Sequence, residues 1–180
     1  MSDFSHLDEQ GRMRMVDVGD KAATERRAMA SCRVRVGPKV YPLLMSGQLP
    51  KGDVWAAARL AGIMAAKNTP QLIPLCHSLP LTSVNIDFTP EPEQEAVLIQ
   101  ARVRTYARTG VEMEALTSAA VAALTIYDMC KAVDRGLVIQ DLQLEEKSGG
   151  ASGKYERLSN SPKNLLQLGK VGVGDGTGSH

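Results

Sequence analysis

At 180 residues and 43% hydrophobic content, the chain is long enough to bury one sizeable core and short for two, so a single domain is expected. Its 21 Lys+Arg against 20 Asp+Glu leave a formal charge of +1, which excludes an overall field drawing it onto nucleic acid or an anionic membrane; any cationic site must be local. Cys32, Cys76 and Cys130 are odd in number and widely spaced, with no C-x-x-C, which argues against a disulfide framework and for a reducing, cytoplasmic compartment.

The opening MSDFSHLDEQGR is polar and lacks the apolar core of a signal peptide, and residues 1–14 read as a flexible leader. Ser31 to Val36 then sets Cys32, Val34 and Val36 against Arg33 and Arg35, the period of a half-buried strand. A short helix is expected around Val40 to Met45, ended by Ser46-Gly47. Asp53 is placed to cap a second helix, along which Val54, Ala57, Ala58, Ala61 and Met64 recur at helical spacing until Asn68-Thr69-Pro70 stops it. Val84, Ile86 and Phe88 share one face of a strand over 82–88, and Val97, Ile99, Ala101 and Val103 do the same over 97–103. The intervening TPEPEQ reads as the loop of a hairpin.

From Val111 to about Val133 the chain is rich in Ala, Leu, Met and Glu with no internal Gly or Pro, a long helix that Gly136 closes. Its uncharged run, Ala115 to Tyr127, falls short of the roughly 20 residues a membrane span needs. Leu137 to Glu145 is a last, less cleanly alternating strand. The order βαββαβ predicts an α+β, ferredoxin-like sandwich, an antiparallel sheet with helices on one face. KSGGASG (147–153) is flexible by composition, residues 15–158 read as the folded domain, and 159–180 as a flexible tail.

Several residues carry chemistry in this frame. In LIPLCHSLP (72–80) a thiol and an imidazole stand side by side between prolines. A zinc site fails on spacing, because neither the other histidines nor the other cysteines fall at ligand distances from Cys76 and His77. Adjacent residues on an extended segment point apart, so a thiolate activated by its neighbour is disfavoured, and Cys76 reads as small core filler. His77, on a stiffened loop between helix and strand, is open between ligand contact and a satisfied core histidine.

Asp128 and Lys131 lie three residues apart on one helix face, an ordinary surface ion pair by default. They follow the uncharged run, however, so burial is expected, which would depress the lysine and, with pairing, poise the two for proton transfer. Glu112 and Glu114 open the same helix, where offsetting the helix dipole is the plain explanation. If they share a site with Asp128, sixteen residues at helical rise put them roughly 24 Å apart along the axis. Either the site is composite between subunits or there are two sites. The glycine loop lacks the phosphate-loop pattern, with Ser148 where that pattern needs Gly and Tyr155 where it needs Ser or Thr. Bearing Lys147 and Lys154, it is either a linker or a loop that folds over a phosphate. RNA binding wants stacking aromatics, and these are 4% of the chain.

Three long blocks, MVDVGDKAATERRA (15–28), KGDVWAAARLAGIMAAKNTPQLIPLCH (51–77) and GVEMEALTSAAVAALTIYDMCKAV (110–133), together resemble the MoaC family. The resemblance spans about residues 15–155. It departs from the family's usual pattern at Ser78, where proline follows the Cys-His pair, and at Ala151, where the glycine loop carries a second lysine. It implies conversion of a 3′,8-cyclised dihydro-GTP into cyclic pyranopterin monophosphate with release of pyrophosphate, in molybdenum-cofactor biosynthesis. It places Asp128, Lys131 and Lys51 at the catalytic centre. Leu75, Cys76, His77, Met113, Glu114 and Glu112 would line the substrate, and Arg26 and Lys147 would join Lys51 in holding polyphosphate charge. It implies a small-molecule nucleotide substrate, no metal or cofactor, no nucleic-acid or membrane partner, and a homohexamer built as a trimer of dimers. The rival from another class is a non-enzymatic ferredoxin-like module that binds a small molecule and regulates a partner.

Overall fold

The alternation seen in SCRVRV is the second half of a longer strand. In the computed structural model, which describes residues 10–151 and 153–158, β1 runs Thr24–Arg35. It pairs antiparallel on both sides, with β3 (Ala96–Ala107) and with β4 (Val138–Ser148). The ladder to β3 runs the whole length of β1 and the ladder to β4 from Arg27 onward, and backbone pairing of this kind does not depend on the side chains, so the charged Glu25-Arg26-Arg27 stretch belongs to the strand. Ala28, Ala30, Cys32 and Val34 line its buried face. β2 (Leu81–Glu91) pairs with β3 as the expected hairpin, and its connection is tighter than TPEPEQ suggested: Pro90 and Glu91 are in the strand, and only the 3₁₀ turn Pro92–Gln94 and Glu95 intervene.

The sheet order is β2-β3-β1-β4 with a short fifth strand, β5 (Tyr155–Glu156), against Glu146 and Lys147 at the β4 edge. This is the expected α+β arrangement, extended by one strand. The expected break after Glu145 is corrected: Lys147 and Ser148, read as loop, are part of β4. The weak alternation of this strand also has a cause. Asp141 and Leu142 together stand opposite Cys32, and the register slips again after Met29, so β4 bulges twice and its inward face changes parity. Asp141 takes a positive φ of 55° at the first bulge and reaches across to Arg33 at 2.5 Å.

The helical layer is α1 (Gly37–Ser46), α2 (Val54–Lys67), a single turn α3 (Thr69–Leu72) and α4 (Glu112–Cys130). Asp53 caps α2 as expected, accepting a 3.0 Å hydrogen bond from the Ala56 N–H, a contact of about 1 kcal/mol. α4 packs on β1, β3 and β4, and α2 on β2 and α4. Ala115, Ala119, Ala122, Ala123 and Ile126 form the buried stripe of α4. The two helices touch backbone to backbone at Gly62: a β-carbon there would sit 2.9 Å from the Ser118 carbonyl, 3.3 Å from Ala122 Cβ and on top of Ile86. No helix among the described residues is long and apolar enough to cross a membrane. The leader up to residue 9 and the tail from 159 lie outside the described residues.

Candidate active site

Two groups of the expected residues assemble at opposite ends of α4. At its N-terminal end a cleft of about 320 Å³ is lined by Leu75, Cys76, His77, Glu112, Met113 and Glu114, so all six expected cradle residues meet there. The segment after α3 delivers the first three. Cys76 N–H closes a turn onto the Ile73 carbonyl at 3.1 Å, and the chain then runs extended into β2.

The remaining lining was not legible in the residue patterns: Val16, Val18 and Lys21 from the N-terminal segment, Leu79, and Thr109-Gly110 between β3 and α4. The block MVDVGDKAATERRA contains the first three, yet it has no periodicity that points to a cleft. Two long-range bonds bring it there. Arg108 Nη1 donates to the Gly19 carbonyl at 2.5 Å, and His77 Nε2 lies 2.9 Å from the Val16 carbonyl. A carbonyl only accepts, so Nε2 carries the proton of the neutral ring and Nδ1 is left as the acceptor. His77 is thus a hydrogen-bonded residue on a cleft wall, which joins the two readings left open above.

Glu114 is only 3% exposed although its carboxyl borders the cleft. Burial pushes its pKa above the usual carboxylate range, and the neighbouring Glu112 pushes the same way. Burial, with Glu114 nearby, also raises the Cys76 thiol. Cys32 and Cys130 are buried, with thiols pushed up to about 11. None of the three has thiolate character, and all are free. Among the described residues no group of three or more His, Cys, Asp or Glu side chains is placed to hold a metal.

At the other end of α4, Asp128 stands between two ammonium groups. Lys131 Nζ lies 2.7 Å from one carboxylate oxygen and Lys51 Nζ 3.0 Å from the other. Lys51 also donates to the Asp128 carbonyl at 2.8 Å, a lone pair left over at the end of the helix. The three catalytic candidates therefore converge, Lys51 arriving from the turn that Gly52, at φ 89°, makes before α2. Hydrogen bonds from Lys131 and then Lys51 hold the Asp128 carboxyl below its ordinary range.

The expected burial is not found in the single chain: the Asp128 side chain is 57% exposed. Helical geometry explains it. The buried stripe of α4 passes through Ala119, Ala122, Ala123, Ile126 and Cys130, and Asp128 and Lys131 sit beside Leu124 on the outward side. An uncharged run marks a helix, not the burial of every residue that follows it.

The two remaining cations lie near the ends of β1 and β4. Arg26 is buried, donating from Nε to the Ala107 carbonyl and from Nη2 to the Arg108 carbonyl, both at 3.2 Å. Lys147 lines a smaller cleft with Arg27, Glu146, Ser148 and Lys154. Neither is in the cleft that holds His77.

Comparison with known proteins agrees with this layout. The MoaC family pattern matches residues 15–150. A cyclic pyranopterin monophosphate synthase from Pelotomaculum thermopropionicum is 58% identical over 157 residues, covering 87% of this chain and 92% of that protein. Proteins of the same name from Herpetosiphon aurantiacus and Thermomicrobium roseum are 59% and 56% identical over 85% and 87% of this chain, and 93% and 95% of their own lengths. A βαββαβ sheet with a cleft at one end of its longest helix and a lysine-clamped aspartate at the other, matched at this level along nearly the whole folded part, places the chain in the MoaC family.

Proposed function

We propose that this chain is a cyclic pyranopterin monophosphate synthase. It converts (8S)-3′,8-cyclo-7,8-dihydroguanosine 5′-triphosphate into cyclic pyranopterin monophosphate and releases pyrophosphate, an early step of molybdenum-cofactor biosynthesis. The observation that carries the reading is the convergence of Lys51, Asp128 and Lys131, drawn from separate stretches of sequence, on one carboxylate. The near full-length identity to synthases of that name supports the substrate.

In this reading the three groups at the C-terminal end of α4 move the protons that ring opening and reclosure require. Asp128, flanked by two cations, is ionised throughout the neutral range and orients both ammonium groups toward the reacting atoms. The cleft formed by Leu75, Cys76, His77, Glu112, Met113 and Glu114 cradles the bicyclic part of the substrate. There His77 Nδ1 accepts a hydrogen bond, and Glu114, with its raised pKa, retains a proton more readily than a solvated carboxyl. Lys51, Arg26 and Lys147 offset the charge that develops on the leaving pyrophosphate.

Both ends of one α4 cannot reach one substrate, because Glu112 and Asp128 are roughly 24 Å apart along the axis. The working site therefore takes its cradle from one subunit and its proton-handling set from another, and the chain acts as a cytoplasmic homo-oligomer, a hexamer assembled as a trimer of dimers. Residues 15–158 form the catalytic domain. Incubating the full chain with the cyclised dihydro-GTP and measuring pyrophosphate tests the activity: stoichiometric release with pyranopterin formation is expected, and no release at any protein concentration refutes it.

A further inference from the structure

We propose that the outward face of the α2–α4 pair is the seam at which two copies of this chain meet, antiparallel about a twofold axis that passes Ala120. The proposal deepens the composite site described above and rests on that reading for the need of two chains; the contact itself is argued from the two helices.

The longest helix has an uncharged outside. Opposite the core side of α4, at spacings of three and four, follow Met113, Thr117, Ala120, Leu124, Asp128 and Lys131. That outward stripe holds no charge until Asp128, about four turns along, and Leu124 within it is 56% exposed. α2 continues the surface. Leu60 and Met64, one turn apart and turned away from the buried Ala58, Gly62 and Ala65, are 60% and 53% exposed. A solvated helix normally puts its charges outward, so two neighbouring helices that turn Leu and Met outward mark an interaction surface. The burial expected from the uncharged run Ala115 to Tyr127, absent on this side of the single chain, is what a second chain supplies.

The site selects the occupant. α2 and α4 run antiparallel, since Lys51, just before α2, bonds Asp128 near the end of α4, and Gly62, well along α2, meets Ser118 and Ala122 nearer its start. The whole face therefore has a cradle end and a lysine end. A second copy laid antiparallel along the stripe exchanges those ends, setting Glu112 of each chain toward the partner subunit's Lys131, in a group where two ammonium ions outnumber one carboxylate. A parallel copy, or an unrelated protein, completes no site. The residue midway between Glu112 and Asp128 is Ala120, which lies on the stripe and is small enough for close approach. With helix axes about 8–10 Å apart and Cα atoms on a radius of about 2.3 Å, the two Ala120 Cα atoms at the axis come about 5 Å apart. The face is about 28 Å long and about 20 Å wide, on the order of the roughly 800 Å² per partner that a stable interface buries.

Disulfide trapping of the full chain tests the seam. Ala120→Cys under mild copper–phenanthroline oxidation is expected to run mostly as a covalent dimer, because Cα atoms about 5 Å apart lie within disulfide reach. Tyr106→Cys, at a position 64% exposed on β3, and the unaltered chain, whose Cys32 and Cys130 are buried, should give several-fold less. In sedimentation, Leu124→Glu and Leu60→Glu should each weaken self-association roughly tenfold or more, while Lys39→Glu, at an exposed lysine on α1, leaves it unchanged. No Ala120→Cys dimer from a chain that sediments as a dimer or larger, equal trapping through Tyr106→Cys, association within twofold of normal in both glutamate variants, or a monomeric unaltered chain each overturns the seam. The proposed reaction fails separately: trapped dimers from a chain that never releases pyrophosphate from the cyclised substrate leave the seam standing and remove the synthase reading.

Discussion

The two ends of α4 place the same functional group in opposite environments. Glu114, in the first turn, is almost wholly buried, and burial raises its pKa; Asp128, in the last, is largely exposed, and two lysines lower it. Desolvation decides the first case and neighbouring charge the second, so along one helix a carboxyl that holds its proton more readily than usual sits about four turns from one that gives it up more readily. The lesson is that the chemistry of a carboxyl follows from what packs on it and not from the element that carries it.

The sharpest way to break this comparison is to remove the charge at the exposed end. Asp128→Asn should lower kcat by about 10²- to 10⁴-fold, because both lysines lose their anchor, while the melting temperature stays close to that of the unaltered chain. A rate within threefold of normal would end the assignment. Joining the two ends across subunits gives the next effect. His77→Ala and Asp128→Asn chains, each inactive alone, should regain roughly a quarter of the normal rate when unfolded and refolded together as an equal mixture, since half the dimers are mixed and each mixed dimer has one intact site. If the mixture stays inactive while mixed dimers are seen by native mass spectrometry, the composite site is refuted.

A stability change comes third. Ile126 is fully buried one turn from Cys130, and Ile126→Ala should cost about 2–5 kcal/mol in denaturant unfolding, with His77 still bonded to Val16 at the far end. The smallest effect is the most direct test of the contrast. By carboxyl NMR, Glu114 should protonate at a higher pH than Asp128. The signs for stability are opposite as well. The raised Glu114 contributes stability present below its unfolded value and lost as pH rises through its folded one; the lowered Asp128 contributes stability present above its unfolded value and lost as pH falls through its folded one. Glu114→Gln should therefore melt higher than the unaltered chain at neutral pH, with the gain vanishing in acid. Equal melting at both pH values would show that burial does not set the Glu114 titration.

Much of the fold was legible because its signals are local. The Asp53 cap, the alternations of β2 and β3 and the Ala-rich helix each depend on residues within a few positions of one another, and all four elements stand near their expected places. β4 was blurred by two bulges that exist only against β1, and β5, two residues long, has no periodicity to detect. In the site, the six residues that the resemblance assigned to the substrate line one cleft. Val16, Val18 and Lys21 were missed as lining because bonds through Arg108 and to His77, each spanning more than sixty residues, seat their segment.

By itself the sequence determined the main helices and strands, their order, and which side chains could supply protons or positive charge, since capping, periodicity and residue chemistry are properties of short stretches. Only the tertiary structure decided that Lys51 meets Asp128, that Asp128 is exposed while Glu114 is buried, and that Arg26 is buried against the Ala107 and Arg108 carbonyls. Distances and dielectric surroundings arise from packing between segments far apart in the chain, and no local pattern encodes them.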